Sequence, residues 1–145
     1  MKLDFPINVP NSLVIELTDL LLNKYPQLNP KKRKELIDYH LNIYSYIKIQ
    51  DKDEFGYSKI KKEVFESITI DTKISNIRFN YRNILDNLKS IFFIEINESY
   101  SFKNDNSNKS KSNDLNFPKS YKIIKYKDDS YIKHYINFKE DLDKI

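Results

Sequence analysis

Side chains able to do covalent or metal chemistry are few. The chain of 145 residues holds two histidines (His40 and His134), three arginines (Arg33, Arg78 and Arg82) and no cysteine. Without thiols it has no disulfide, iron–sulfur cluster, thiolate zinc site or cysteine nucleophile. A zinc site would have to join both histidines with acids from unrelated segments. His40 falls on the apolar face of a helical segment, where a hydrogen-bonded core histidine is the expectation. No His-x-His pair stands near a tyrosine, as in replication nicking enzymes, and three arginines are too few for a tyrosine recombinase. Glu95 alternates with Ile94 and Ile96, which puts it on the solvent side of a strand. The single glycine, Gly56, excludes a glycine-rich phosphate cradle. The expectation is a protein that is not an enzyme and uses no cofactor or metal.

Cationic and amide chemistry remains. Arginine pairs with guanine edges or phosphate, and asparagine with adenine edges. On a helix drawn from Ser75 to Ser90, Asn76, Asn80, Asn83 and Asn87 form one band and Arg78, Arg82 and Lys89 another. The apolar set is Ile77, Tyr81, Ile84, Leu85 and Leu88, so Phe79, Asn83 and Asp86 mark the solvent side, with packing beneath the turn the alternative for Phe79. Alanine is absent, whereas Ile, Lys, Asn and Tyr, all with A/T-rich codons, are abundant. Asparagine or lysine density alone therefore carries little information.

Charge is more telling. The overall balance is 25 bases against 21 acids, or +4. Residues 31–50 carry five bases, including the block Lys31, Lys32, Arg33 and Lys34, against Glu35 and Asp38, a net +3. Residues 101–127 carry seven lysines, among them Lys103, Lys109 and Lys111, against Asp105 and Asp114, a net +5. The remainder is −4, so the positive charge is concentrated in two places. Four bases at a helix start are disfavoured by the macrodipole and gain from a bound phosphate.

The elements that must hold these residues follow from periodicity and caps. Residues 1–10 read as an extended arm. Asn11 or Ser12 caps a helix with Leu13, Leu17, Leu20 and Leu21 on one face. Tyr25 to Leu28 breaks it, and Asn29-Pro30 starts a second helix that runs to about residue 48. The stretch 51–57 reads as a loop, with Ser58 capping a short third helix to about Ile68. A fourth helix spans about 75–90. Phe93 to Glu98 reads as a strand, Ser101 to Phe117 as a long polar loop and Tyr121 to Tyr126 as the returning strand. Tyr131 to Phe138 reads as a further strand and 139–145 as a helical tail. No apolar run reaches the about 20 residues needed to span a membrane.

Two helices joined by a tight turn and followed by a hairpin with a long tip form a winged helix-turn-helix layout. The segments Tyr81-Arg82-Asn83-Ile84-Leu85-Asp86-Asn87-Leu88, Phe93 to Ser101 and Lys119-Ser120-Tyr121-Lys122-Ile123 resemble the winged-helix domains of phage and plasmid replication proteins from Bacteroidetes-like mobile elements. Two departures stand out. Phe92 occupies a position where such domains often have glycine, and the wing, Ser101 to Lys119, is much longer than usual.

The resemblance implies an α+β, mostly helical fold: a winged helix-turn-helix with an extra N-terminal helix and a long wing. The expected organisation is an arm and helix over 1–28, the winged domain over 29–127 and a C-terminal strand and tail over 128–145. The implied function is double-stranded DNA binding, as a replication or transcription accessory in a bacterial cytoplasm. Arg78, Asn80, Arg82 and Asn83 would face the major groove, with the lysines at 103, 109 and 111 and the 31–34 block on phosphate. The alternative is a module for protein assembly, as a homodimer or in a larger complex, docking through the Leu13–Leu21 helix and the aromatic C-terminal run. The acidic residues Asp128, Asp129, Glu140, Asp141 and Asp143 favour that alternative.

Overall fold

A computed structural model describes residues 6–97, 119–124 and 130–135. The expected wing lysines (Lys103, Lys109 and Lys111) and the helical tail lie outside the described residues. The fold is α+β and mostly helical, as expected. Its first strand, β1 (Pro6–Pro10), pairs antiparallel with the last, β7 (Tyr131–Tyr135), with Ile7 opposite His134 and Val9 opposite Ile132. The extended arm is thus one half of a two-stranded ribbon that joins the two ends of the chain. Val9 is fully buried, and the Asn11 amide donates to the Ser130 carbonyl at 3.0 Å.

Helix α1 (Asn11–Lys24) buries Leu13, Leu17 and Leu21, one residue per turn, while Leu20 is half-buried at the edge of the stripe. Its N-cap is Pro10, without a side-chain bond, rather than Asn11 or Ser12. Helix α2 (Pro30–Ile49) starts as the sequence predicts: Asn29 Oδ1 accepts from the Lys32 amide at 2.7 Å, and proline fills the first helical position. Leu36, Ile43 and Ile47 along it are fully buried.

The next segment corrects the sequence reading. Tyr57–Ile60 is a strand, β2, rather than the end of a loop and the start of a helix, and α3 covers only Lys62–Ser67. Ser58 and Ile60 face inward and Lys59 outward, a two-residue period. The partner of β2 is β6 (Lys119–Ile123), which also pairs with β5 (Ile94–Asn97), so the sheet order is β2-β6-β5, all antiparallel. Phe65 of α3 ties these elements together. Its ring stacks on Tyr81 with centroids 6.0 Å apart and meets Tyr121 of β6 edge-on at 5.1 Å.

A second correction concerns residues 75–80. The fourth helix, α4, is Tyr81–Ser90, and the residues before it form a hairpin of β3 (Thr72–Ile74) and β4 (Ile77–Phe79). Ser75 (φ 51°) and Asn76 (φ 69°) are both left-handed, as the two central residues of a type I′ turn must be. Phe79, which a helix through 75–90 would put on the solvent side, is 1% exposed and packs edge-on against Tyr25.

Phe92 adopts the conformation that glycine would favour. Its φ is 65° and it ends α4 in a Schellman motif: the Phe93 amide donates to the Leu88 carbonyl and the Phe92 amide to the Lys89 carbonyl, each at 3.0 Å. Leu88 and Phe93 are both fully buried beneath this turn. A non-glycine residue in this region costs about 1 kcal/mol, which the buried pair offsets.

Candidate nucleic-acid interface

Helix α4 separates its polar residues by face. Arg82, Asp86, Lys89 and Ser90 lie exposed at helical spacing, while Ile84, Leu85, Asn87 and Leu88 are buried. The asparagine band expected to read bases is turned to other tasks. Asn80 is the N-cap: its Oδ1 accepts from the Arg82 amide at 3.0 Å, and Asn83 Oδ1 accepts in return from the Asn80 amide at 2.8 Å. This reciprocal cap satisfies the amides that a helix start leaves open. The pair Asn80-x-x-Asn83 is itself the sequence signal that α4 begins at residue 81.

Asn87 is fully buried. Its Nδ2 donates to His40 Nε2 at 3.0 Å, and its Oδ1 accepts from Lys24 Nζ at 2.6 Å. His40 Nδ1 faces the Leu36 carbonyl at 2.7 Å, so Nδ1 carries the proton and Nε2 is the bare acceptor. Burial pushes His40 down to about 4, the Leu36 bond opposing and the Lys24 charge assisting that shift. The imidazole is therefore neutral at physiological pH, and the chain Lys24–Asn87–His40 links α1, α4 and α2 through the core. His134, on β7, meets Asn42 Oδ1 of α2 at 2.7 Å. Among the described residues no cluster of histidine and carboxylate side chains is placed to hold a metal.

Three of the residues expected in the groove gather around a carboxylate that the sequence reading overlooked. Arg78 Nε lies 3.0 Å from Asp71 Oδ1, Arg78 Nη2 lies 2.5 Å from Asp71 Oδ2, and the Asn80 side chain is among the groups that lower the Asp71 pKa. The hydrogen bond from Arg78 lowers the Asp71 pKa most, and the Arg82 charge lowers it further. The register explains the convergence. Thr72 opposes Phe79, so Asp71, one residue earlier, falls across from Asn80 and diagonal to Arg78. Lys73 directly opposes Arg78, a like-charge pair that is unfavourable without a nearby anion. Arg82 is exposed, with its guanidinium 5.4 Å from the centroid of the Tyr81 ring.

The basic block of α2 keeps its own partners. Lys32 Nζ pairs with Glu35 at 3.1 Å and Lys34 Nζ with Asp38 at 3.4 Å, one helical turn away. Exposed pairs of this kind contribute under about 1 kcal/mol, so they yield readily to phosphate. Arg33 Nη2 donates to the Leu28 carbonyl at 3.1 Å, which closes the α1–α2 turn, and Lys31 is exposed. The structure thus brings Arg78, Asn80, Arg82 and Asn83 into one cluster at the start of α4 and leaves Lys31 to Lys34 on α2.

The chain matches no protein-family model, no curated protein and no solved structure. Among the described residues no helix is long and apolar enough to cross a membrane.

Proposed function

We propose that the protein is a winged-helix double-stranded DNA-binding protein, an accessory to replication or transcription in a phage or other mobile element. The observation that carries this reading is the order α2-β2-α3-β3-β4-α4-β5-β6, in which the β3–β4 hairpin stands where a tight turn between the two helices was expected, together with the sheet order β2-β6-β5 and the exposed Arg82 stripe of α4. In a winged helix the helix before the hairpin enters the major groove and the hairpin tip follows the backbone. Here α4 takes the helix's place, and the connection from 98 to 118, with Lys103, Lys109 and Lys111, takes the wing's place in the chain order. Arg82 and Lys89 supply the groove-side charge, and Lys31, Lys32 and Lys34 further phosphate contacts. Asn80 and Asn83 act in the cap that fixes the helix, not on base edges. Specificity then rests chiefly on Arg82, and affinity on counterion release.

The test is binding of a labelled random-sequence duplex across a salt series. The logarithm of affinity should fall linearly with the logarithm of salt concentration. Charge reversal at Arg82 together with Lys109 should weaken binding by about tenfold or more and flatten the slope. Unchanged affinity at low salt would remove the proposal.

A docking module is the second reading, favoured by exposed Ile15 and Leu22 on α1 and by Tyr131 and Tyr135 on β7, each more than 40% exposed. Leu13, Leu17 and Leu21 do not serve it, because they are fully buried in the protein's own core. Weak heparin retention by a dimer or larger species would favour this reading.

A further inference from the structure

We propose that Asp71 stands in for a DNA phosphate in the free protein, latching Arg78 and thereby setting the affinity of the α4 face for duplex DNA. This role rests on duplex binding by α4 and goes beyond it, because it assigns the control of affinity to a residue outside the helix. Asp71 and Arg78 are both largely exposed, at 52% and 66%, so the pair is open to exchange with an external anion. Arg78 presents two nitrogens to one carboxylate, the fork geometry with which arginine also grips phosphate. Arg82 adds a second positive charge that acts on the same carboxylate, and Lys73 stands directly opposite Arg78 in the hairpin. Glu66, on α3, is the other acid that acts on Arg78.

Each component has a structural reason. The hairpin needs an anion to offset Lys73 opposite Arg78, and the register delivers Asp71 there. The consequence is that the cation nearest α4 enters the encounter already neutralised. A backbone phosphate arriving beside Arg82 finds Arg78 within reach and can take over its two hydrogen bonds. Asp71 is then left facing the duplex, and its repulsion subtracts from the binding. Such a device keeps non-specific binding weak, since only a duplex seated closely on Arg82 can present a phosphate at that point.

The experiment compares Asp71→Asn with the unchanged protein, using the same labelled random-sequence duplex across the salt series. Asparagine keeps the size and can still accept from Arg78, so the hairpin is preserved while the charge is lost. Binding should tighten by about threefold to tenfold at low salt, and the salt slope should steepen by about one. Arg78→Gln supplies the second arm and decides the matter if Asp71→Asn does not fold. It should weaken binding and flatten the slope by about one, whereas a purely structural arginine would leave the slope unchanged. If the unchanged protein binds with a normal salt slope but Asp71→Asn gains nothing, the latch is wrong and duplex binding stands. If neither protein binds duplex at low salt, both proposals fall.

Discussion

The two faces of α4 use similar polar residues to opposite ends. On the inner face Asn87 lies fully buried between His40 and Lys24, with each partner on a different helix. On the outer side Arg82 is exposed, and Arg78 of the adjoining hairpin is held by a carboxylate that water or phosphate can replace. A polar side chain is thus available for binding according to what covers it. Asn87 and Asn83 stand four residues apart on one helix. One is sealed by α1 and α2, and the other is spent on the cap.

The comparison predicts a steep gradient of mutational cost from the inner face to the outer. Asn87→Ala should cost the most, about 2–4 kcal/mol in denaturant unfolding, because it leaves the buried His40 Nε2 without its partner and opens a polar void in the core. Arg82→Ala should change stability by under about 0.5 kcal/mol. Equal costs at the two positions would erase the distinction.

Acid titration probes the buried histidines, His40 at the inner face above all. The folded His40 value of about 4 lies below its ordinary 6.5, so the unfolded chain takes up the proton first as the pH falls. Stability is fully present above about pH 6.5 and declines through the window down to about 4, by about 3 kcal/mol in total. Burial lowers His134 as well, which adds loss in the same direction. Replacing His40 by glutamine should remove most of the pH dependence in this window while destabilising the fold at neutral pH.

Smaller still is the effect expected at the end of the helix. Phe92→Gly should stabilise the protein by about 1 kcal/mol or less in thermal unfolding, since glycine reaches φ 65° without a Cβ clash. A loss instead would show that the exposed ring contributes packing that outweighs the strain.

Much of the helical framework was legible in the sequence. Asn29-Pro30 announced α2, and the four-residue step of Leu13, Leu17 and Leu21 announced α1, because caps and helical faces are local signals. The pieces that were not legible depend on distant partners or on unusual conformations. Strand β2 is four residues long, and its partner Lys119–Ile123 lies about sixty positions away. The pairing of β1 with β7 joins opposite ends of the chain. The β3–β4 hairpin turns at Ser75-Asn76 without the glycine that usually marks a type I′ turn, so the helical periodicity of Ile77, Tyr81 and Ile84 concealed it. At the candidate site, Arg82 was found by its type, whereas Asp71 emerges only from the hairpin register. Asn87 fell outside the apolar stripe of the helical wheel, and a wheel does not show that His40 of α2 packs over that side.

The most direct test is to titrate duplex DNA into isotopically labelled protein and follow the backbone amide resonances. The amides of Lys73, Arg78, Arg82, Asp86 and Lys89 should shift together, while those of His40 and Asn87 stay in place. Shifts confined to α1 and β7, or no shifts at low salt, would contradict the assignment of the outer face of α4 as the interface.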